Sequence, residues 1–330
     1  MTLESAMKAV LCKTHGPPET LVVEEVPDPK PGPGEVVVDV AFASLNFFDT
    51  LIIENRYQLK PALPFSPGGE LSGRVAAIGE GVEGFRVGDR VAANIGFGAC
   101  RAKVVVNASR LVPVPDRLAD EAAAGLMIAY GTSLYALKNR AELKSGETLA
   151  VLGAAGGAGL AAVEIGKALG ARVIACASSA EKLEFAKSRG AEMTLDYAKT
   201  DLKEGLRELT GGKGADVIYD PVGGDLAEAA LRSIAWKGRY LVIGFAAGQI
   251  PKFPMNLALL KGCDIRGVFW GGFAEREPAA FAEHVRELFR WALDGRIRVH
   301  TAKIFPLEET GAAIRYLADR KAIGKVLVRP

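Results

Sequence analysis

One stretch of this chain places glycines where a backbone has to come close to something. Residues 147–170 read ETLAVLGAAGGAGLAAVEIGKALG, and ARVIACA follows at 171–177, so the order is strand, glycine turn, helix, strand. Aligned on G-x-G-x-x-G, Ala154, Gly156 and Gly159 take the three glycine positions, with alanine replacing the first. Gly156 would let the backbone approach a pyrophosphate, and Gly159 would let the helix pack closely on the strand. Amides from Gly157 onward would stand at a helix N-terminus, whose partial positive charge favours an anion. Framed by strand and helix at this spacing, the motif reads as a dinucleotide site rather than a bare turn.

The end of the next strand bears on which dinucleotide. An acid about 20 residues downstream would hold the ribose hydroxyls of NAD, but Ala177 stands there, followed by Ser178, Ser179 and Lys182. Two hydroxyls and a cation suit a 2′-phosphate, which an acid would repel. NADPH is therefore the expected cofactor. Ser178 and Ser179 also suit capping of a helix starting near Ala180, with Lys182 on its solvated face, and the two roles are compatible.

These residues need elements to hold them. The 330 residues suggest two domains. The first third, from Glu35 to about Val114, is a series of short apolar runs separated by Gly, Pro and Asp, which reads as a turn-rich antiparallel β domain. From Ala122 the texture changes to Ala/Leu-rich helices alternating with strands at 148–152, 172–177, 217–220 and 239–244, the pattern of βαβ units and a parallel sheet. A helix over 278–293, a strand near 303–307, a second helix and a closing strand over 324–328 complete the chain. From composition alone that last segment could join either sheet.

Other classes are disfavoured. A net charge of +2 leaves no electrostatic footprint for nucleic acid. The longest apolar stretch, Leu149 to Val163, falls short of the roughly 18 residues of a membrane span, and Glu4 before Lys8 with no apolar core after it is not a secretory signal. Cys12, Cys100, Cys176 and Cys263 are scattered, which disfavours disulfides and structural zinc and fits a cytoplasmic protein. His15 in a turn, His284 on a solvated helix face and His300 in a strand-like segment read as structural.

With these residues in hand, the chain resembles the medium-chain dehydrogenase/reductase superfamily, in its zinc-independent NADPH:quinone oxidoreductase branch. Besides the AAGGAG turn, the resemblance rests on GGELSGRVAAIG at 68–79, GFRVGDRV at 84–91, LNFFD at 45–49 and VIGF at 242–245. It implies a GroES-like β-rich catalytic domain over 1–128 and 274–330, a Rossmann NADP-binding domain over 129–273, a cleft between them and a homodimer joined through sheet edges. By the same resemblance Asn46 and Thr132 would lie near the nicotinamide, Ala155, Gly156, Gly157 and Ala158 at the pyrophosphate, and Ser178 with Lys182 at the 2′-phosphate. Tyr197 would reach the adenosine phosphate, and Gly244, Phe245, Phe269 and Trp270 would line the nicotinamide pocket. Leu51 stands where the family commonly has an aromatic residue.

Zinc alcohol dehydrogenases of this superfamily take a cysteine where this chain has Asn46 and a histidine where it has Gly69, and of their four-cysteine loop only Cys100 appears. Without a strong Lewis acid, a conjugated acceptor is the better substrate, because a quinone or an α,β-unsaturated carbonyl delocalises the charge that hydride addition creates. The protein would then supply orientation, dryness and a donor for the oxyanion. Asn46 and Tyr57 are the candidate donors, Tyr57 also a proton relay, and Asp49 would orient either. Phe47, Phe48, Phe269 and Trp270 are aromatic enough to stack on a flat ring or to serve as core. Two other functions share the cofactor site: an enoyl-thioester reductase, with Arg56, Lys60 and Arg101 at a basic entrance for the phosphate of coenzyme A, and a weakly catalytic NADPH-binding structural or RNA-binding protein.

Overall fold

The computed structural model describes residues 6–330; Glu4 lies outside them. β1 (Ala6–Leu11) and β2 (Val22–Pro27) form an antiparallel ribbon, and after the Pro/Gly cluster at 27–34 the chain enters β3 (Glu35–Leu45). Gly34 turns there with φ +74°, a conformation that costs glycine no Cβ clash. β4 (Glu70–Ile78), β5 (Arg90–Asn94), β6 (Lys103–Asn107) and β7 (Leu111–Pro113) follow, all joined by antiparallel pairing.

The middle of the chain is built differently. β8 (Thr148–Leu152), β9 (Arg172–Ala177), β10 (Met193–Asp196), β11 (Ala215–Asp220), β12 (Ile234–Val242) and β13 (Asp264–Gly267) alternate with helices and pair in parallel, in the order β10-β9-β8-β11-β12-β13. Leu149–Leu152, Val173–Cys176 and Val217–Tyr219 are wholly buried, as parallel strands covered on both faces must be. The order reverses direction between β8 and β11, which makes the carboxyl ends of those two strands a switch point, where such sheets bind ligands. The parallel sheet is Rossmann-like, and the antiparallel strands build a GroES-like β-rich region. Among the described residues no helix is long and apolar enough to cross a membrane.

The chain ends with β14 (Thr301–Pro306) and β15 (Lys325–Arg329), parallel to each other, and β15 pairs antiparallel with β3 through Val326–Leu45 and Val328–Ala43. The far end of β3 is thus held on one side by β4 and on the other by a strand more than 280 residues away in sequence. Two compact units result. The first takes everything up to Ile128 with Phe273–Gly295 and Val299–Pro330; the second takes Ala129–Gly272 with the short return Arg296–Arg298. That return is tied to the second unit by Glu164, whose buried carboxylate accepts from the Arg298 amide at 3.0 Å and pairs with Arg189. Tyr130 donates to the same carboxylate at 2.8 Å.

One histidine is placed differently from its reading. His284 is 7 % exposed, packs edge-on to Phe273 at 5.3 Å and sets Nδ1 2.8 Å from the Ala280 carbonyl. The helix Pro278–Leu293 buries Phe281, His284, Val285 and Leu288, an i, i+3, i+4, i+7 stripe on which the histidine falls. Its place is in the core.

Candidate active site

In the second unit the residues read as cofactor contacts gather along the carboxyl edge of the parallel sheet. Residues 153–158 follow β8, Ser178 and Lys182 follow β9, Tyr197 follows β10, Gly244 and Phe245 follow β12, and Phe269 and Trp270 follow β13. The helix after β8 spans Gly157–Ala168, begins at Gly156 and has no side-chain cap. Its first amides are left for a ligand. A Cβ on Gly156 would find only the Gly153 carbonyl, at 3.5 Å, so space stands open above it; a Cβ on Gly159 would lie 2.2 Å from that same carbonyl. Room at one glycine and none at the other is the geometry a pyrophosphate cradle needs. The left-handed residue of the turn is Gly153, at φ +59°, one position before the alanine aligned on the first glycine. Ala154, free of that demand, is buried and its amide bonds the Cys176 carbonyl at 3.1 Å.

Ser179 is the N-cap of the helix Ala180–Ser188, its Oγ accepting from the Lys182 amide at 3.4 Å, while Ser178 is exposed just before it. Ala177 is buried at the strand end, and its carbonyl accepts from the Tyr197 amide at 3.1 Å, which brings Tyr197 beside the Ser178 turn. Thr132 lies on the short helix Gly131–Leu134, tethered by its neighbour Ser133, whose Oγ sits 3.1 Å from the Ala158 carbonyl and 2.8 Å from the Tyr219 hydroxyl. Trp270 is buried with its indole over Gly131, where a Cβ would strike it at 2.3 Å. Phe269 next to it is 57 % exposed, and Phe245 lies against Gly223. Trp270 is thus occupied with packing; Phe269 and, at 36 % exposure, Phe245 are the rings left at the surface.

Asp220, at the end of β11, was missed by the sequence reading. Its Oδ1 accepts from the Val222 and Gly223 amides at 2.8 and 2.9 Å, and its Oδ2 accepts from the Tyr240 hydroxyl. This fixes the turn across the switch point from residue 153, whose hypothetical Cβ would touch Val222 at 3.0 Å. Strand-end acids are common, and nothing local distinguishes this one from a solvated turn residue.

The first unit brings Asn46, Asp49 and Tyr57 onto one helical turn and the loop after it. Asp49 is fully buried in the helix Phe47–Ile52; its Oδ2 accepts from the Asn46 amide and its Oδ1 from the Gly68 amide, both at 2.8 Å. Its carboxylate therefore holds two backbone amides, rather than orienting the Asn46 carboxamide or Tyr57 as expected. Tyr57 stacks on Phe48, centroids 5.3 Å apart and planes at 19°, and burial pushes its phenol above the ordinary value, so it stays protonated at neutral pH. Phe48 in turn fills the space beside Gly69. A Cβ there would lie 2.4 Å from the Phe48 ring.

Beneath Asn46 is a buried ion pair that sequence reasoning also missed. Lys325 and Glu70 meet at 2.7 Å, 3 % and 0 % exposed. Glu70 Oε1 accepts from Ser44 at 2.9 Å and from Asn46 Nδ2 at 2.8 Å, and its Oε2 accepts from the Ile128 amide at 2.7 Å. Lys325 also donates to Asn46 Oδ1 at 2.7 Å and to the Leu45 carbonyl at 3.1 Å. A lysine opening the apolar run Val326–Val328 was the available signal, since a cation in a buried strand requires an anion.

Burial pushes the Asp49 carboxyl up to about 7 from an ordinary value of 3.8, against the pull of its two amide donors and of Lys325. Because the folded chain binds this proton more tightly than the unfolded one, the group's stabilisation is fully present below about pH 4 and is lost as pH rises through about 7. Urea unfolding between pH 4 and 8 should show this loss, and Asp49→Asn should flatten it. Equal pH slopes in both proteins would contradict the assignment.

The chain matches the Alcohol dehydrogenase GroES-like domain over residues 32–116 and the Zinc-binding dehydrogenase family over 157–289. Quinone oxidoreductase-like protein 2 of Bos taurus is 38% identical over 322 residues, 97% of this chain and 92% of that protein. The quinone oxidoreductase of Pseudomonas aeruginosa is 35% identical over 325 residues, 98% and 99% of the two chains. The crystal structure of Escherichia coli quinone oxidoreductase complexed with NADPH superposes with a TM-score of 0.93 at 30% identity, covering 98% of this chain and all of that one. The chain belongs to the quinone oxidoreductase-like group of the medium-chain dehydrogenase/reductase superfamily. It is an oxidoreductase.

Proposed function

We propose that this enzyme uses NADPH to reduce a quinone or another conjugated carbonyl without zinc. The observation that carries the reading is in the first unit: the space a ligand side chain at position 69 would need is filled by the Phe48 ring, stacked on Tyr57, and a half-buried carboxamide, Asn46, stands where a metal-binding cysteine would. Among the described residues no group of three His, Cys, Asp or Glu is placed to hold a metal ion, so the residues present do not fit the zinc of the family's description.

The second unit fits the dinucleotide. The Gly156 to Ala158 backbone would take the pyrophosphate, Ser178 and Lys182 the 2′-phosphate, Tyr197 the adenosine side and Thr132, Gly244, Phe245 and Phe269 the nicotinamide end; the NADPH bound to the Escherichia coli relative supports this choice. When bound, NADPH supplies a hydride equivalent. Asn46 would donate an N–H hydrogen bond to the acceptor's oxygen as negative charge gathers there, and Tyr57, protonated, would give its phenolic proton to that oxygen and be reprotonated from solvent. The Phe48–Tyr57 stack offers a flat apolar face to a planar acceptor. An enoyl-thioester reductase is less well served: Arg56 pairs with Glu54 at 3.0 Å, and Arg101 gives Nε and Nη2 to the Ser66 hydroxyl, which leaves Lys60 of the three basic residues considered. A homodimer is supported by β13, which among the described residues pairs on one side only, with β12, and is preceded by a helix with Leu259 and Leu260 at 80 % and 67 % exposure.

Protein purified without added zinc should contain no stoichiometric metal and should oxidise NADPH with a quinone at the same rate in chelator. One tightly held zinc per chain, with activity lost on its removal, would overturn the zinc-free reading.

A further inference from the structure

We propose that Lys325 is a positioning residue for the reduction, acting through the Asn46 carboxamide. This rests on the reading of Asn46 as the donor to the acceptor's oxygen. An ammonium only donates and a carboxylate only accepts. With Lys325 on Oδ1 at 2.7 Å and Glu70 on Nδ2 at 2.8 Å, the carboxamide has one allowed orientation, because the flipped form would set N–H against ammonium and oxygen against carboxylate. One Nδ2 hydrogen is taken by Glu70. The other is left with a fixed direction on a half-buried side chain, while the charges that fix it are buried out of reach of solvent and substrate. A donor held rigid before charge develops needs no reorganisation when it does, which is the property that makes such donors effective.

The geometry also says why an ion pair serves here and a neutral pair would not. If position 70 were glutamine and 325 methionine, the neighbouring carboxamide could either accept from Asn46 Nδ2 or donate to its Oδ1, and both orientations of Asn46 would be populated. The double variant Lys325→Met/Glu70→Gln removes both charges of the pair and strands neither, so it separates orientation from the cost of an unpaired partner. Steady-state kinetics with NADPH and p-benzoquinone, with thermal melting, should be measured for wild type, Asn46→Ala, Lys325→Met, the double variant and the triple variant that adds Asn46→Ala to it. Asn46→Ala should lower kcat about a hundredfold, the usual scale for one oxyanion donor. The double variant should melt above the single Lys325→Met yet lose about tenfold or more in kcat with KM for NADPH unchanged, and the triple should lose nothing beyond Asn46→Ala. Wild-type kcat in the double variant, or additive losses in the triple, would overturn the proposal. Wild-type kcat in Asn46→Ala would instead remove the donor reading beneath it. Should the core variants not fold, the wild-type carboxamide still answers: by ¹⁵N NMR its two hydrogens, identified by their loss in Asn46→Ala, should exchange with solvent at very different rates. Equal rates would mean a freely rotating amide and no positioning.

Discussion

Lys182→Ala is expected to weaken NADPH binding about ten- to a hundredfold, the worth of one charge-assisted hydrogen bond of about 1.5 to 3 kcal/mol. NADH should hardly respond. The expectation comes from the first turn of the helix Ala180–Ser188, where Ser179 caps the backbone, Ser178 is exposed just before it and Lys182 lies in the same turn. Ala177→Asp should also act against NADPH, by repelling that phosphate from the end of β9, and should bring NADH closer to parity by offering the ribose hydroxyls an acceptor. Calorimetric titration of both cofactors into wild type and the two variants reads all of this directly. Equal wild-type affinity for NADH and NADPH, or equal weakening of both by Lys182→Ala, would mean the 2′-phosphate lies elsewhere.

The largest effect on stability is expected from Glu70→Ala. It strands the Lys325 ammonium at 3 % exposure and leaves the Ser44 hydroxyl, the Asn46 carboxamide and the Ile128 amide without their acceptor. Breaking a buried pair from one side costs about 3 to 5 kcal/mol, a large part of the roughly 5 to 15 kcal/mol that separates folded from unfolded domains. Adding Lys325→Met should recover much of the loss, since removing both charges also removes the stranded one. Urea unfolding midpoints of the single and double variants provide the comparison. A Glu70→Ala protein as stable as wild type would show that water or a neighbouring acid compensates Lys325.

The parts of this molecule that were legible in its sequence are those set by neighbours along the chain. Apolar runs bounded by turns placed β8 at 148–152 and β9 at 172–177, and the helix read over 278–293 is the observed Pro278–Leu293. The glycine turn was legible for the same reason, although the residue bearing its positive φ is Gly153, because glycine spacing does not say which member adopts the left-handed conformation. Features made by distant segments were not legible. Asn46 was legible as a donor, but its partners Glu70 and Lys325 were not, because only the pairing of β3 with β4 on one side and β15 on the other brings the three into one hydrogen-bonded group. His284 failed on a finer point. Histidine on an amphipathic helix is polar by type, and only the stripe shared with Phe281, Val285 and Leu288 shows which face it takes.

The central claim is that a fixed neutral donor and a flat aromatic face, with no metal, suit a conjugated acceptor. Its most direct test is the rate of NADPH oxidation in metal-free buffer with four acceptors compared side by side: p-benzoquinone, a simple enone, crotonyl-CoA and an unconjugated ketone. The account predicts turnover with the quinone and the enone, much less with crotonyl-CoA, and none with the ketone. Preferred reduction of the unconjugated ketone, or of crotonyl-CoA over the quinone, would contradict it.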